Sequence, residues 1–194
     1  MEVPMSSQPT IYLTPEEYLA IERKATYKSE YIDGGMVAMT GASRQHNLIA
    51  FNITREISQQ LRGRPCEGYA SDMRVRVPST RLYTYPDVVV VCGEPQFEDD
   101  YVDTLLNPTL IIEVLSESTE LYDRSKKFGF YRTIVSLGEY LLVAQDECRV
   151  EQYVKQPDGR WLLSEYPALE DVIELVSIGC KLSLREVYEK VTFP

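Results

Sequence analysis

The chain has 194 residues, of which 44% are hydrophobic, and its formal net charge is −10 at pH 7. This size and apolar content suit one globular domain, which we expect over residues 11–194 after a flexible lead at residues 1–10. The negative charge argues against a nonspecific nucleic-acid binder, whose surface is usually basic, although a local basic cleft or bound metal ions would let an acidic protein approach DNA. No signal peptide and no apolar run long enough to cross a bilayer is visible, so we expect a cytoplasmic protein with no membrane partner.

The four cysteines lie far apart in the sequence. Cys66, Cys92, Cys148 and Cys180 form no CxxC motif, so the spacing gives no metal-binding signature. For a cytoplasmic protein we expect all four to be reduced thiols.

The N-terminal elements begin with a capping signal. Thr14-Pro15-Glu16-Glu17 combines a capping box with a first-turn proline, so we expect a helix from there to about Thr26. Residues 30–39 predict a β-hairpin, because Asp33-Gly34 suits its turn.

A second helix and a strand follow. Ser43 is a suitable cap for a helix from about Arg44 to Arg62, in which Ile49, Ile53, Ile57 and Leu61 form an apolar stripe. The alternation at residues 72–77 predicts a half-buried strand with Arg74 and Arg76 on one face.

The C-terminal half mixes strands with fewer helices. Residues 85–91 and 110–115 are short apolar runs, which indicate strands buried on both faces. The capping cluster at residues 116–119 precedes a predicted helix from about Glu120 to Thr133. The other expected elements are an acidic irregular segment at 93–107, a buried strand at 139–144, a hairpin of 150–155 with 161–166, and a last helix from Ser183 to about Val191. This mixture predicts an α+β fold, α/β/α-like, with a mixed central sheet flanked by helices.

Each of the two buried runs contains a carboxylate. Asp87 begins the first run and Glu113 interrupts the second. A buried carboxylate costs several kcal/mol unless it is paired or binds a cation. Shared binding of Mg²⁺ or Mn²⁺ would offset this cost. The alternative is that Asp87 caps a turn after Pro86 and Glu113 pairs with an arginine.

The helix after Glu113 carries two adjacent lysines. Lys127 lies four residues after Asp123 and shares its face, whereas Lys126 points about 100° away. A lysine beside a two-carboxylate metal site could orient an attacking water and stabilise charge on the phosphorane. The alternative is a solvated basic face.

An ordered series of residues resembles a known nuclease family. The series is Glu30 with Asp33-Gly34, Gly41 to His46, Tyr85-Pro86-Asp87, Glu113 to Ser116, Asp123 with Lys127 and Tyr131, and Glu139-Tyr140. It resembles the PD-(D/E)XK nuclease superfamily and, more closely, the Uma-two family, a domain of unknown function assigned to the restriction endonucleases and abundant in cyanobacteria. The resemblance extends from Leu13 to about Tyr188.

The resemblance implies a restriction-endonuclease-like fold and Mg²⁺- or Mn²⁺-dependent hydrolysis of double-stranded DNA by an activated water, with a homodimer by analogy. It makes Asp87 and Glu113 catalytic metal ligands, with the backbone carbonyl of Val114 as a further ligand. The superfamily lysine usually lies two residues after the acidic residue, where this chain has Leu115. In the resembling family the next helix supplies it, which selects Lys127.

The same resemblance suggests weaker assignments. Glu30 corresponds to an extra acidic residue near the metal, although it could equally be an exposed residue before a turn. His46, the only histidine, is expected to contact phosphate or position a water, or else to be structural. Arg74 and Arg76 would face a backbone phosphate, or form the exposed side of a strand.

Two rivals to the nuclease hypothesis remain at this stage. One is a catalytically silent nuclease fold that binds DNA or protein partners, which the net charge and Leu115 favour. The other is a purely structural α+β domain whose carboxylates pair with arginines. A Mn²⁺ titration separates the structural domain from the other two, and plasmid nicking separates the enzyme from the silent module.

Overall fold

The computed structural model describes residues 12–117 and 119–194. The expected lead at 1–10 and Ser118 of the expected capping cluster lie outside the described residues. The helices are α1 (Pro15–Glu22), α2 (Arg44–Leu61), α3 (Glu120–Tyr122), α4 (Phe128–Tyr131) and α5 (Leu184–Val187), and a π-helical turn at Asp123–Lys127 joins α3 to α4. No helix in these ranges is long and apolar enough to cross a membrane.

The described strands form two larger sheets and a separate pair. They are β1 (Ser29–Ile32), β2 (Gly35–Ala38), β3 (Cys66–Ala70), β4 (Arg74–Val77), β5 (Leu82–Thr84), β6 (Val88–Cys92), β7 (Thr104–Leu105), β8 (Leu110–Val114), β9 (Glu139–Val143), β10 (Val150–Lys155), β11 (Trp161–Tyr166), β12 (Val172–Leu175) and β13 (Cys180–Ser183). The six-stranded sheet has the order β11-β10-β9-β8-β6-β3, and the five-stranded sheet has the order β2-β1-β5-β4-β7. Both are mixed, because β8 pairs with β9 and β4 with β7 in parallel, while their other pairs are antiparallel.

The six-stranded sheet is covered on both faces. On one face Val88 and Val90 belong to the core that contains the apolar stripe of α2, together with α5 and the β12-β13 pair. On the other face Val89 and Val91 pack in a core with β4, β5 and Tyr131 of α4. The prediction that β6 and β8 are buried on both faces is confirmed, and this burial explains why nearly all of their residues are apolar.

The mixed α+β class is confirmed, but the expectation of one central sheet flanked by helices is wrong. The second face of the six-stranded sheet is covered largely by another sheet. The strands that the sequence did not indicate are β3, β5, β7, β12 and β13, each five residues or fewer. Segments this short contain too few residues to show the alternation of apolar and polar residues by which a strand is recognised.

The caps of the two long N-terminal helices match the sequence prediction, but several helix ends do not. Thr14 forms the complete capping box of α1, and Ser43 accepts a hydrogen bond from the His46 amide at the start of α2. The expected ends at Thr26, Thr133 and Val191 are each too late, since α1, α4 and α5 end at Glu22, Tyr131 and Val187. A cap fixes where a helix begins, whereas its end depends on where packing stops.

The expectation of four reduced cysteines is wrong. Cys66 of β3 and Cys92 of β6 lie opposite each other in the antiparallel ladder and form a disulfide. Cys148 and Cys180 are free thiols. The pairing depends on strand register, which a separation of 26 residues does not reveal.

The acidic segment at 93–107 is only partly solvated surface. Arg23, just after α1, binds Asp99 at 2.8 Å and Asp103 at 2.8 Å, and Arg76 binds Glu98. The segment is therefore held against α1 and β4 by ion pairs.

Candidate active site

Strand pairing places the two sequence-selected carboxylates side by side. In the β6–β8 ladder Val88 pairs with Ile112, so Asp87, directly before β6, and Glu113 of β8 lie at the same end of this strand pair. The backbone amide of Val114 donates a 2.8 Å hydrogen bond to Asp87 Oδ2, which fixes this carboxylate against β8. Asp87 is partly accessible and Glu113 is buried.

Lys127 enters the same site from the π-helical turn. Its Nζ lies 3.0 Å from Glu113 Oε1, 3.1 Å from Glu30 Oε1 and 3.5 Å from Asp123 Oδ1. Lys127 and Asp123 are both buried, whereas Lys126 is exposed. We call Glu30, Asp87, Glu113, Asp123 and Lys127 the carboxylate–lysine cluster. Single π-helical turns within helices often occur at functional sites, because the wider turn redirects side chains.

Two hydroxyl groups hold carboxylates of this cluster, and sequence reasoning gave neither a role. Tyr131 Oη donates a 2.9 Å hydrogen bond to Glu113 Oε1, and the Thr84 hydroxyl donates to Glu30. Tyr131 was one of the residues that carry the family resemblance, and it lies four residues after Lys127. This spacing could have predicted that Tyr131 shares a helix face with Lys127 and reaches the site. Nothing in the local sequence predicts a role for Thr84, because the pairing of β5 with β1 is what brings it to the site.

His46 contacts the Asp87 side of the cluster. It lies in the first turn of α2, and its Nε2 is 3.2 Å from Asp87 Oδ2. Burial lowers the pKa of His46, but the hydrogen bond to Asp87, the charge of Asp87 and the carbonyl of Val114 outweigh burial, so its pKa is raised. The histidine therefore contacts Asp87 and Val114, two of the three residues that the family resemblance selected as oxygen ligands.

The cluster holds more negative than positive charge. Burial raises the pKa of Glu113, and the charges of Asp123 and Asp87 raise it further, although Lys127 opposes them. Burial also raises the pKa of Asp123. Lys127 is buried too, yet the surrounding carboxylates raise its pKa well above the ordinary value, so its ammonium form is retained. Three carboxylates lie within 3.5 Å of this ammonium and Asp87 adds to the charge around Glu113, so a further cation would relieve the repulsion that raises the pKa of Glu113.

The donor set fits a hard divalent cation. Asp123 Oδ1 is buried, and its ion pair with Lys127 at 3.5 Å is longer than an ordinary hydrogen bond. In residues 12–117 and 119–194 no three carboxylate, imidazole or thiol side chains are arranged to hold a metal ion. Mg²⁺ does not need such a cage, because proteins usually hold it by one or two carboxylates with several waters.

The two arginines of β4 lie elsewhere. Arg74 is 3% exposed, donates to Tyr85 Oη at 2.8 Å and lies 2.9 Å from Asp103 Oδ2. Arg76 pairs with Glu98. The expectation of an exposed basic face is wrong for Arg74, because Tyr18 of α1 and Tyr85 pack over its guanidinium.

Comparisons with known proteins identify the family and the fold. Residues 15–185 match the family model Uma2, described as "Putative restriction endonuclease". The chain is 46% identical over 156 residues to the uncharacterized protein sll1609 of Synechocystis sp., covering 80% of this chain and 88% of that protein. It is 38% identical to the uncharacterized protein slr1290 of the same organism, covering 96% of this chain and 97% of the relative. The crystal structure of "a putative nuclease belonging to DUF820" from Anabaena variabilis superposes with a TM-score of 0.76 at 18% identity, covering 93% of this chain and 99% of that one.

Proposed function

The chain belongs to the Uma2 family, and from the carboxylate–lysine cluster we propose that it is a divalent-metal-dependent endonuclease that hydrolyses phosphodiester bonds of double-stranded DNA. The observation that carries the proposal is a buried lysine ammonium within 3.5 Å of three carboxylates, next to the partly accessible Asp87. The descriptions of the family and of the similar Anabaena structure support the same reaction class.

The residues that would hold Mg²⁺ or Mn²⁺ are Asp87, Glu113 and the backbone carbonyl of Val114. When bound, the cation supplies positive charge that polarises the phosphate and lowers the pKa of a water. Asp123, which pairs with Lys127, lies in the same cluster and adds negative charge beside Glu113.

Lys127 and the residues around the cluster complement these proposed ligands. Lys127 is kept charged by its three carboxylates, and its ammonium would stabilise the charge that develops on the phosphate oxygens during attack by water. His46 and the Val114 amide fix the orientation of Asp87. Tyr131 and Thr84 fix Glu113 and Glu30 in the same way.

The decisive experiment is a plasmid-nicking assay with Mn²⁺ and matched aspartate variants. Asp87→Asn keeps the side-chain shape but removes the charge, so cleavage should fall by about two orders of magnitude or more. Asp72→Asn is the control, because its side chain is 88% exposed and pairs only with Lys28. Wild-type nicking that persists in a chelator, or equal activity of the Asp87 variant, would overturn the proposal.

Metal binding is measured separately from activity. A ligand that binds only the folded protein raises its melting temperature, so Mn²⁺ should stabilise metal-free wild type. Asp87→Asn should reduce this stabilisation and Asp72→Asn should preserve it. Unchanged melting of the wild type in millimolar Mn²⁺ would count against a shared site.

A catalytically silent nuclease fold is the second candidate, and Leu115 favours it. This side chain occupies the place of the usual superfamily lysine and is 4% exposed in the apolar core. Leucine brings no positive charge to the cluster from that position. A protein that binds Mn²⁺ and duplex DNA but leaves plasmid intact would match this candidate.

A further inference from the structure

A chain of contacts leads from Asp87 to the segment that follows β9. His46 Nε2 lies 3.2 Å from Asp87 Oδ2, and the backbone amide of the same histidine donates a 3.0 Å hydrogen bond to the Ser43 hydroxyl oxygen. The Ser43 hydroxyl in turn donates to Gln145 Oε1. Gln145 is therefore connected to the proposed metal ligand through the first turn of α2.

Strand pairing places Gln145 at the same edge of the six-stranded sheet as the cluster. β8 and β9 are parallel, with Val114 opposite Val143, and the Leu115 amide donates a 2.8 Å hydrogen bond to the Val143 carbonyl. Glu113 is the next-to-last residue of β8, and Gln145 follows β9 by two residues. Open α/β sheets bind ligands outside the carboxyl ends of their strands, and the β8–β9 pair presents such ends here.

The side-chain amide nitrogen of Gln145 is an accessible donor without an acceptor. The residue is partly exposed, and its Nε2 donates no hydrogen bond within residues 12–117 and 119–194. The buried polar atoms that lack a partner in these ranges do not include this nitrogen, so it is open to solvent. Because the Ser43 hydroxyl occupies Oε1, the amide is held in one orientation and its two N–H groups remain available.

The donors nearer the centre of the site already have acceptors. Lys127, Tyr131 and Thr84 all bind carboxylates of the cluster. Glutamine side chains are among the groups by which proteins contact DNA phosphates. A hydrogen bond to such an ionised acceptor is stronger than one between neutral groups. The free amide of Gln145 therefore suits a phosphate at the edge of the site.

We propose that the Gln145 side-chain amide donates a hydrogen bond to a DNA backbone phosphate that flanks the scissile one, and so positions the strand in the active site. This inference rests on the proposed nuclease function. The flanking phosphate is chosen because Ser43 and His46 lie between Gln145 and Asp87, so the amide lies to one side of the proposed metal site.

One substitution separates contact with DNA from support of the fold. Gln145→Glu keeps an oxygen that accepts the Ser43 hydrogen bond, but it replaces the amide donor with a negatively charged oxygen. Gln59→Glu is the matched control, because it adds the same charge at an exposed position about 20 Å along α2 from His46.

The melting temperatures of both variants should stay close to that of the metal-free wild type. Mn²⁺ should still stabilise both, because neither change removes a carboxylate. A clear loss of stability in Gln145→Glu alone would show that the amide serves the fold, and would overturn the inference.

Fluorescence anisotropy with a short duplex in Ca²⁺ measures the contact itself. Gln145→Glu should weaken binding by about tenfold or more, since repulsion replaces a hydrogen bond to a charged acceptor. Gln59→Glu should bind like the wild type, because solvent and salt screen a distant surface charge. Unchanged affinity of Gln145→Glu, or an equal loss in both variants, would overturn the inference.

A scan of single methylphosphonates along the duplex identifies the acceptor. Each replaces one charged phosphate oxygen by a methyl group. At one position beside the mapped nick, this change should weaken wild-type binding but not that of Gln145→Glu, because it removes the hydrogen bond of one and the repulsion of the other. A double-mutant cycle measures this coupling. Equal effects on both proteins at every position would place the amide away from the phosphates and contradict the proposal.

The outcomes separate the inference from the function on which it rests. Wild-type binding and cleavage that Gln145→Glu leaves unchanged overturn the inference alone. A wild type that neither binds duplex DNA in Ca²⁺ nor cleaves it in Mn²⁺ overturns both.

Discussion

At the scale of single residues, Lys127 shows how a buried charge is retained. Its side chain is only 7% exposed, and its ammonium stays charged because the carboxylates of Glu30, Glu113 and Asp123 surround it. They come from β1, β8 and the π-helical turn. The ammonium therefore joins three elements and also reduces the repulsion among the acidic groups.

Removing this ammonium should destabilise the protein. Lys127→Ala leaves several buried carboxylates without compensation, a loss that typically costs about 3–5 kcal/mol. Urea unfolding of metal-free protein should show this decrease in the free energy of unfolding. Lys126→Ala is the control, because this adjacent lysine is exposed, and it should stay within about 0.5 kcal/mol of wild type. Equal stability of the two variants would contradict the ion pairs described here.

At the scale of secondary-structure elements, the Cys66–Cys92 disulfide joins the edge strand β3 to β6. β6 begins directly after Asp87, and the Ser71 amide donates to the Asp87 carbonyl at 3.0 Å. The disulfide thus constrains the strand pair that supports the proposed metal ligand.

Reduction should therefore lower stability. A crosslink that closes a loop of this length contributes about 3 kcal/mol by restricting the unfolded chain. Denaturation with and without dithiothreitol measures the difference. Cys92→Ser should have the stability of the reduced wild type both with and without dithiothreitol. Cys148→Ser keeps the disulfide, so its stability should still fall when dithiothreitol is added. A wild type that is indifferent to reductant would contradict a stabilising disulfide.

The acidic segment gives a pH-dependent prediction. Hydrogen bonds from Arg23 lower the pKa of Asp103, and the charge of Arg74 lowers it further, against a smaller opposing effect of burial. A lowered folded-state pKa contributes stability that is present above the unfolded pKa, about 3.9 for aspartate, and is lost as pH falls toward the folded value. Asp103→Asn should lower the free energy of unfolding by about 1–2 kcal/mol at pH 7. The loss is no larger because the side chain is a third exposed and solvent screens its charge.

The difference in the free energy of unfolding between Asp103→Asn and the wild type should narrow as pH falls below about 4. Urea unfolding at a series of pH values measures it. Asp100→Asn, at an exposed position of the same segment, should show no gap at any pH. A gap that widens in acid would reverse the assigned direction of the shift.

At the scale of the whole molecule, the net charge of −10 opposes approach to DNA. Arg74 and Arg76 do not relieve it, because both pair with acidic residues of the 93–107 segment. Divalent cations would therefore have to offset the repulsion between the acidic cluster and phosphate.

Duplex binding should accordingly depend on cations. Fluorescence anisotropy in Ca²⁺ should detect binding that weakens in EDTA, and affinity should fall with added salt at a slope set by the few phosphates contacted. Arg76→Ala should change this slope little. Equal affinity in Ca²⁺ and EDTA would contradict a metal-bridged contact.

The sequence by itself determined the local features of this protein. Caps and periodicity located α1, the β1–β2 hairpin and α2, since these depend on neighbours within a few residues. Short apolar runs identified β6 and β8 as buried on both faces, and the carboxylates that begin or interrupt these runs directed attention to Asp87 and Glu113. The i, i+4 spacing of Asp123 and Lys127 indicated which lysine shares a face with the acid.

Only the tertiary structure decided what depends on pairing between distant segments. Register placed Cys66 opposite Cys92, brought Thr84 to Glu30 and enclosed Arg74 between β5 and β7. The π-helical turn set the angle at which Lys127 enters the cluster, and its neighbour Tyr122 has a buried hydroxyl without a partner among the described residues. These features arise because a β-sheet joins residues by hydrogen bonds across strands, and the strand order is set by burial in the whole molecule rather than by local sequence.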